Sequence, residues 1–198
     1  MTAEATLGRI REYMVGPTRF MNLLSCFELG IVDAVRDNPG ATTTDIGATV
    51  GVKPDAVEQL LFLLVKEGFV AHHETTDGYT LDALAYVPDK DLNAALDLMY
   101  FIKATTLRQL FYLSESARTG TLVGLKKLYD FDGTLYEAAA EHQDIGRPWS
   151  KVMDATTERI DPWFFSNIDV PAGARVLDLA GNTGLGAIHT YKYKQSPN

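Results

Sequence analysis

The chain has 198 residues, 46% of them hydrophobic and 22% charged, which is the composition of an ordinary globular protein. A formal net charge of −8 argues against general affinity for nucleic acid or an anionic membrane, because both demand a basic face. Cys26 is the sole cysteine, so the sequence offers neither an intrachain disulfide nor a cysteine metal cluster, and a small buried hydrophobe is its expected role. The opening "MTAEATLGRIREYM" mixes acids with apolar residues and reads as neither a secretion signal nor a membrane span, which makes the cytoplasm the expected location.

Apolar residues recur at helical spacing from Leu7 to Val35, with Gly16-Pro17 between two groups, so two helices with apolar faces are expected. Thr43 or Thr44 can cap a short helix running to Val50, and Pro54 opens another that Gly68 stops. "FVAHHETTDGYTL" reads as a hairpin around Thr76-Asp77-Gly78. Helix, turn, helix and hairpin together predict a winged helix. A DNA-binding regulator is one reading of that fold. Against it, Thr42 to Gly68 holds Lys53 and Lys66 facing Asp45, Asp55, Glu58 and Glu67, and the second helix is mostly apolar. Burial of that helix against a second subunit accounts for its composition better. His72-His73-Glu74 is a poor metal site, since adjacent strand residues point to opposite faces, and no metal is expected.

Asp91 to Gly120 is again helical in pattern and rich in aromatics, among them Tyr100, Phe101, Phe111 and Tyr112. A longer helix is expected from about Pro148 to Phe164, with Trp149, Met153, Thr157, Ile160 and Phe164 on one stripe; core packing is the plain reading of that stripe. "SNIDVPAG" then leads to "RVLDLAGNTGLGAIHTY", Arg175 to Tyr191. Val176, Leu177 and Leu179 have the character of a parallel strand buried on both faces. Gly181 and Gly184 permit positive φ, Asn182 tolerates it, and helical spacing resumes at Leu185. Strand, glycine turn and helix form the first unit of a nucleotide-binding sheet, with the helix N-terminus favouring anionic groups.

"VLDLAGNTG" resembles motif I of S-adenosylmethionine-dependent methyltransferases, V-L-D-V-G-G-G-T-G, with Ala180 and Asn182 where that family has glycine. "ELGIVDAV", "YDFDGTLYEAAAEH" and "WSKVMDATT" precede it in the order found in two-domain small-molecule O-methyltransferases of plants and bacteria, and the resemblance covers essentially the whole chain. It implies a mainly α fold, with a winged-helix dimerisation domain over 1–147, a linking helix and boundary over 148–170, and the first βα unit of a Rossmann-like methyltransferase domain over 171–198. Thr157, Asp178, Ala180, Gly181 and Gly184 would then hold S-adenosylmethionine. Tyr100, Phe101, Trp149 and Met153 would wall a pocket for a small aromatic, phenolic acceptor. The family's general base lies beyond motif I, so no catalytic residue is expected in this chain, which reads as the N-terminal portion of a longer enzyme and inactive alone. A homodimer through the N-terminal helices is implied, with neither nucleic acid nor membrane as partner. A relative with changed chemistry, a hydroxylase, decarboxylase or cyclase, is the alternative that Ala180 and Asn182 leave open.

Overall fold

Thr2 opens the first helix by accepting a hydrogen bond from the Ala5 N–H on its hydroxyl, at 3.2 Å in a computed structural model that describes residues 2–171 and 173–194. Helix α1 spans Ala3–Glu28 as one element, with Pro17 inside it, where the sequence predicts a break. Proline removes a single backbone donor, and here it does so on an exposed turn, where the freed Tyr13 carbonyl is open to solvent. Gly30, in the left-handed region, turns the chain into α2, Ile31–Asp37.

The first capping residue in the next helix is Thr42, one position before those the sequence proposes. Its hydroxyl accepts from the Asp45 N–H while the Asp45 carboxylate accepts from the Thr42 N–H, and α3 follows over Thr43–Val50. The Thr42 hydroxyl and then its N–H hold the Asp45 carboxyl below its ordinary value. Pro54 at the first turn starts α4, Pro54–Lys66, as expected. Strands β1, Val70–His73, and β2, Gly78–Leu81, pair antiparallel with Val70 opposite Leu81 and His73 opposite Gly78. The helix–helix–hairpin unit of the sequence reading is therefore present.

Two compact units divide the chain, one up to Asp91 and one from Leu92, so the expected limits at 147 and 170 both fall inside the second unit. The first unit is built on Leu24, Cys26, Ile31, Val32, Val35, Ile46, Val57, Leu61, Leu64 and Val70, all fully buried or within about a percent of it. On α4 the buried positions Val57, Leu61 and Leu64 follow i, i+4, i+7, the spacing that turns one stripe inward. Desolvation pushes the Cys26 thiol up to about 12, so it stays protonated.

The second unit begins with α5, Asp89–Phe101, which runs through a π-helical turn, Ile102–Leu107, into the short α6, Arg108–Leu110. Then come α7 (Leu113–Thr119), α8 (Val123–Tyr129), α9 (Leu135–Glu141), α10 (Gln143–Asn167) and α11 (Leu185–Lys194). Leu125, Ala138 and Ile145 are its buried centre, with Tyr129, Phe131 and Leu135 packed around them. Helix α10 starts five residues before the Pro148 start read from sequence and carries Pro148 and Pro162 within it. Gly146 lets it approach α9 closely, because a Cβ there would lie 2.2 Å from the Ala139 carbonyl oxygen.

Val176 to Leu179 pairs with no other segment among the described residues and so forms no strand, as a lone segment without sheet partners must. Leu177 and Leu179 are 79% and 80% exposed, where their apolar pattern predicts burial on both faces.

Two outcomes follow for this fold. Native protein at pH 8 should resist alkylation at Cys26 by iodoacetamide and react fully once unfolded in guanidinium, read by mass; rapid native labelling would contradict the burial. Thr42→Ala should cost about 1 kcal/mol in urea unfolding and Thr44→Ala only a few tenths, since one removes the cap and the other an exposed helical residue.

Candidate functional site

The segment with most chemical character lies where the Arg175–Tyr191 motif meets α10. Ala180 and Asn182 both take positive φ, at 58° and 49°, and Gly184 stands at 81°. The motif's non-glycine departures thus occupy left-handed backbone, which is natural for Asn182 and costs Ala180 about 1–2 kcal/mol. The Gly184 N–H closes the turn onto the Gly181 carbonyl at 2.7 Å, and α11 starts at the next residue. The Asp178 carboxylate folds over this turn: a Cβ on Gly181 would lie 2.4 Å from its Oδ2, and one on Gly186 3.1 Å. Only glycine at 181 lets that carboxylate lie against the loop.

A seam of polar contacts ties the turn and α11 to α10. The Ser150 hydroxyl donates to Asn182 Oδ1 at 3.4 Å, the Thr183 hydroxyl to Asp154 Oδ1 at 2.5 Å, and His189 Nδ1 lies 2.8 Å from Asp161 Oδ2. Ser150, Asp154 and Asp161 fall at i, i+4 and i+11, one face of the helix, and Thr157 at i+7 shares it. His189 and Asp161 are only 11% and 14% exposed. His189 also meets Tyr193 edge-on, and Tyr193 stacks on the buried Phe165, so this pair anchors α11.

Beside the seam lie the aromatics named from sequence. Phe101 and Trp149 meet at 5.4 Å, edge to face, and Tyr136 meets Trp149 at 5.1 Å in the same manner. Phe101 ends α5, and the π-helical turn after it is braced by the buried Thr105, whose hydroxyl donates to the Phe101 carbonyl at 2.6 Å. Tyr100 is half-buried next to it, and Met153 half-buried one turn after Trp149. A cavity of about 670 Å³ opens between α9, α10 and the turn, with Tyr136, Trp149, Arg147, Ser150, Lys151 and Asn182 in its wall. Of the residues singled out from sequence, Trp149 lines it; Tyr100, Phe101, Met153 and Thr157 do not, and Asp178, Ala180, Gly181 and Gly184 lie in the turn that carries Asn182 to its rim.

Tyr136, Arg147, Ser150 and Lys151 escape a reading that follows apolar stripes alone. The signal was available: Gln143, Arg147, Ser150, Asp154, Thr157 and Asp161 form a polar stripe at the same heptad-like spacing, bordering the apolar one. A second polar cluster sits at the start of α10. Arg108 Nη1 donates to the Tyr129 hydroxyl at 3.0 Å, which donates to Asp144 Oδ2 at 2.9 Å. Burial, then the Asp144 hydrogen bond, raise the Tyr129 hydroxyl above its ordinary value despite Arg108, so it remains a donor. Among the described residues no group of three His, Cys, Asp or Glu side chains is arranged to hold a metal ion.

A family model described as the O-methyltransferase dimerisation domain matches residues 12–87. The chain is similar to an L-tyrosine C(3)-methyltransferase of Streptomyces lavendulae, 21% identical over 175 residues that cover 88% of this chain and 48% of that protein. The mitomycin 7-O-methyltransferase MmcR superposes with a TM-score of 0.80 at 17% identity, over 97% of this chain and 56% of the other. PigF with SAH gives 0.78 at 16% identity, over 97% and 55%. Human N-acetylserotonin methyltransferase in complex with SAM gives 0.75 at 16% identity, over 98% and 57%. The chain spans about half the length of the proteins it resembles.

The turn makes a measurable claim. Ala180→Gly should raise stability by about 0.5–1 kcal/mol, the relief of left-handed strain less the entropy glycine adds to the unfolded chain, whereas Asn182→Gly should stay within about 0.5 kcal/mol of the parent. Urea unfolding of the two variants decides it, and a destabilised Ala180→Gly would contradict the positive φ.

Proposed function

We propose that this chain serves methyl transfer to a hydroxyl of a small aromatic metabolite, a reading supported by the match of residues 12–87 to the O-methyltransferase dimerisation domain and by a fold shared with S-adenosylmethionine-dependent methyltransferases. One observation carries the reading: Asn182 of the glycine turn and Trp149 of the aromatic stripe line a single cavity, so that a cofactor-binding loop and an acceptor wall share one space.

The turn fits S-adenosylmethionine in its donor set. Gly181 without a side chain, the Asp178 carboxylate folded over the loop, the Thr157 hydroxyl on the facing stripe and the N-terminal amides of α11 match the charged amino-acid end of that molecule. When bound, the cofactor supplies a methyl group already activated on a positively charged sulfur. The protein's share is then to orient and to desolvate. Trp149, held edge-on by Phe101 and Tyr136, gives a flat ring one fixed wall, and Met153 extends it with a polarisable thioether. Such alignment supplies most of the advantage of an in-line displacement, while the acceptor hydroxyl, of pKa about 10, still has to lose its proton. None of the residues named here is assigned the role of the base that takes it.

Leu7, Ile10 and Met14 form an exposed apolar stripe along α1, and Phe62 on α4 is 61% exposed, surfaces that support a homodimer through the N-terminal helices. A second chemistry is favoured by one specific likeness: the Streptomyces lavendulae relative is named for methylation at carbon, so the acceptor atom here could be a ring carbon ortho to a hydroxyl. Reading the winged helix as a DNA reader fits poorly with two lysines against four acids from Thr42 to Gly68.

Calorimetry with S-adenosylhomocysteine should show stoichiometric binding that Gly181→Val abolishes. Binding unchanged by Gly181→Val would remove the turn from the cofactor site. Trp149→Ala should weaken binding of a phenol by about 1–3 kcal/mol while leaving S-adenosylhomocysteine affinity nearly intact. Sedimentation at micromolar concentration should find a dimer and Ile10→Asp a monomer; a monomeric parent would overturn the subunit assignment.

A further inference from the structure

The rim of the cavity beside Trp149 is cationic, in a chain whose formal net charge is −8. Arg147 and Lys151 both line it, and no acidic residue does. They stand four apart on α10, a like-charge spacing that destabilises a helix unless something compensates it. The acid best placed to neutralise Arg147 from within the helix is Asp144, three residues earlier, yet its carboxylate accepts from the Tyr129 hydroxyl and lies 3.7 Å from Arg108. Lys151 has a distant partner in Asp97, at 3.7 Å. Arg147 has no ion pair among the described residues; its Nη2 donates to the neutral Gln143 Oε1 at 2.7 Å. That bond fixes the guanidinium and leaves both its charge and most of its five N–H groups available.

The same wall carries the Tyr136 and Trp149 rings, which meet edge to face, while Ala139, Ala140 and Gly146 keep its α9–α10 side free of bulk. A flat ring fits the aromatic side, and a carboxylate reaching the rim would meet a preset fork donor with a second cation behind it. We propose that the acceptor taken by this cavity is an aromatic acid, with Arg147 as the residue that selects its carboxylate and Lys151 adding field without direct contact. The proposal rests on the reading of this cavity as the acceptor site. Gln143, Arg147, Ser150 and Lys151 recur at i, i+4, i+7, i+8 on α10 and so arrive at the cavity together.

The chain has two tryptophans, so Trp163→Phe leaves Trp149 as a single fluorescent reporter of the cavity. This protein would be titrated at low ionic strength with 4-hydroxyphenylacetate and with its neutral isostere 4-hydroxyphenylacetamide. The acid should bind about tenfold more tightly, the range of one charge-assisted contact pair, and the preference should shrink as salt is added. Arg147→Gln should erase the preference while sparing amide binding, Arg147→Lys should keep part of it, and Lys151→Gln should reduce it less. Equal affinities for acid and amide would overturn the carboxylate inference yet leave the acceptor site standing. Quenching by neither probe would overturn both.

Discussion

The site depends on the hydrogen-bonded seam between one face of α10 and the turn before α11. Ser150, Asp154 and Asp161 hold Asn182, Thr183 and His189, and these three contacts are the means by which a short irregular turn acquires a fixed place beside the aromatic wall. Two of its three donors or acceptors on the α10 side are carboxylates, so the contacts are charge-assisted and directional. Without the seam the turn would have only its internal Gly184–Gly181 bond to define it, and a cavity with Asn182 on its rim would have no third side.

Helix α10 is unusual in serving two faces at once. Its apolar stripe supplies Trp149 and Met153, its polar stripe supplies Arg147 and the seam, and Thr157 stands on the border between them. Two internal prolines do not disrupt this division. Pro148 lies in the second turn, and the backbone acceptor it leaves is the Asp144 carbonyl, near the helix start, where the chain is already anchored by Ile145 in the core and by Asp144 on Tyr129. Side-chain anchorage there substitutes for the lost ladder bond.

Much of this was legible in the sequence, and the failures have identifiable physical causes. The α3–α4 pair and the hairpin follow from Pro54, Gly51 and the Asp77-Gly78 turn, all local signals that tertiary contacts had no reason to override. Gly16-Pro17 misled because a proline breaks a helix only where its missing hydrogen bond cannot be replaced, and exposure is not visible in a local pattern. The cap fell on Thr42 rather than Thr43 or Thr44 because only Thr42 places an acid three residues ahead to return the bond. At the site, Trp149, Ala180 and Asn182 were read from residue type and motif, and their backbone angles give the reason glycine is usual at 180 and 182. Tyr136 was missed because it reaches Trp149 from another helix, a contact that no periodicity within one helix records.

The π-helical turn at Ile102–Leu107 has a consequence for how this protein tolerates changes in length. A π turn is an α-helix carrying one extra residue, and Thr105 secures it by satisfying the Phe101 carbonyl that the wider turn leaves poorly bonded. Loss of one residue between 102 and 107 would return this stretch to an ordinary helix and leave the segments on either side facing as they do, because the wider turn is what absorbs the extra residue. Phe101 would keep its edge on Trp149 and Arg108 its hold on Tyr129. The turn thus lets the chain carry one residue more than an α-helix would hold between Phe101 and Arg108 without turning either side chain away from its ring, so a change in chain length here is taken up locally and the aromatic wall stays as it is.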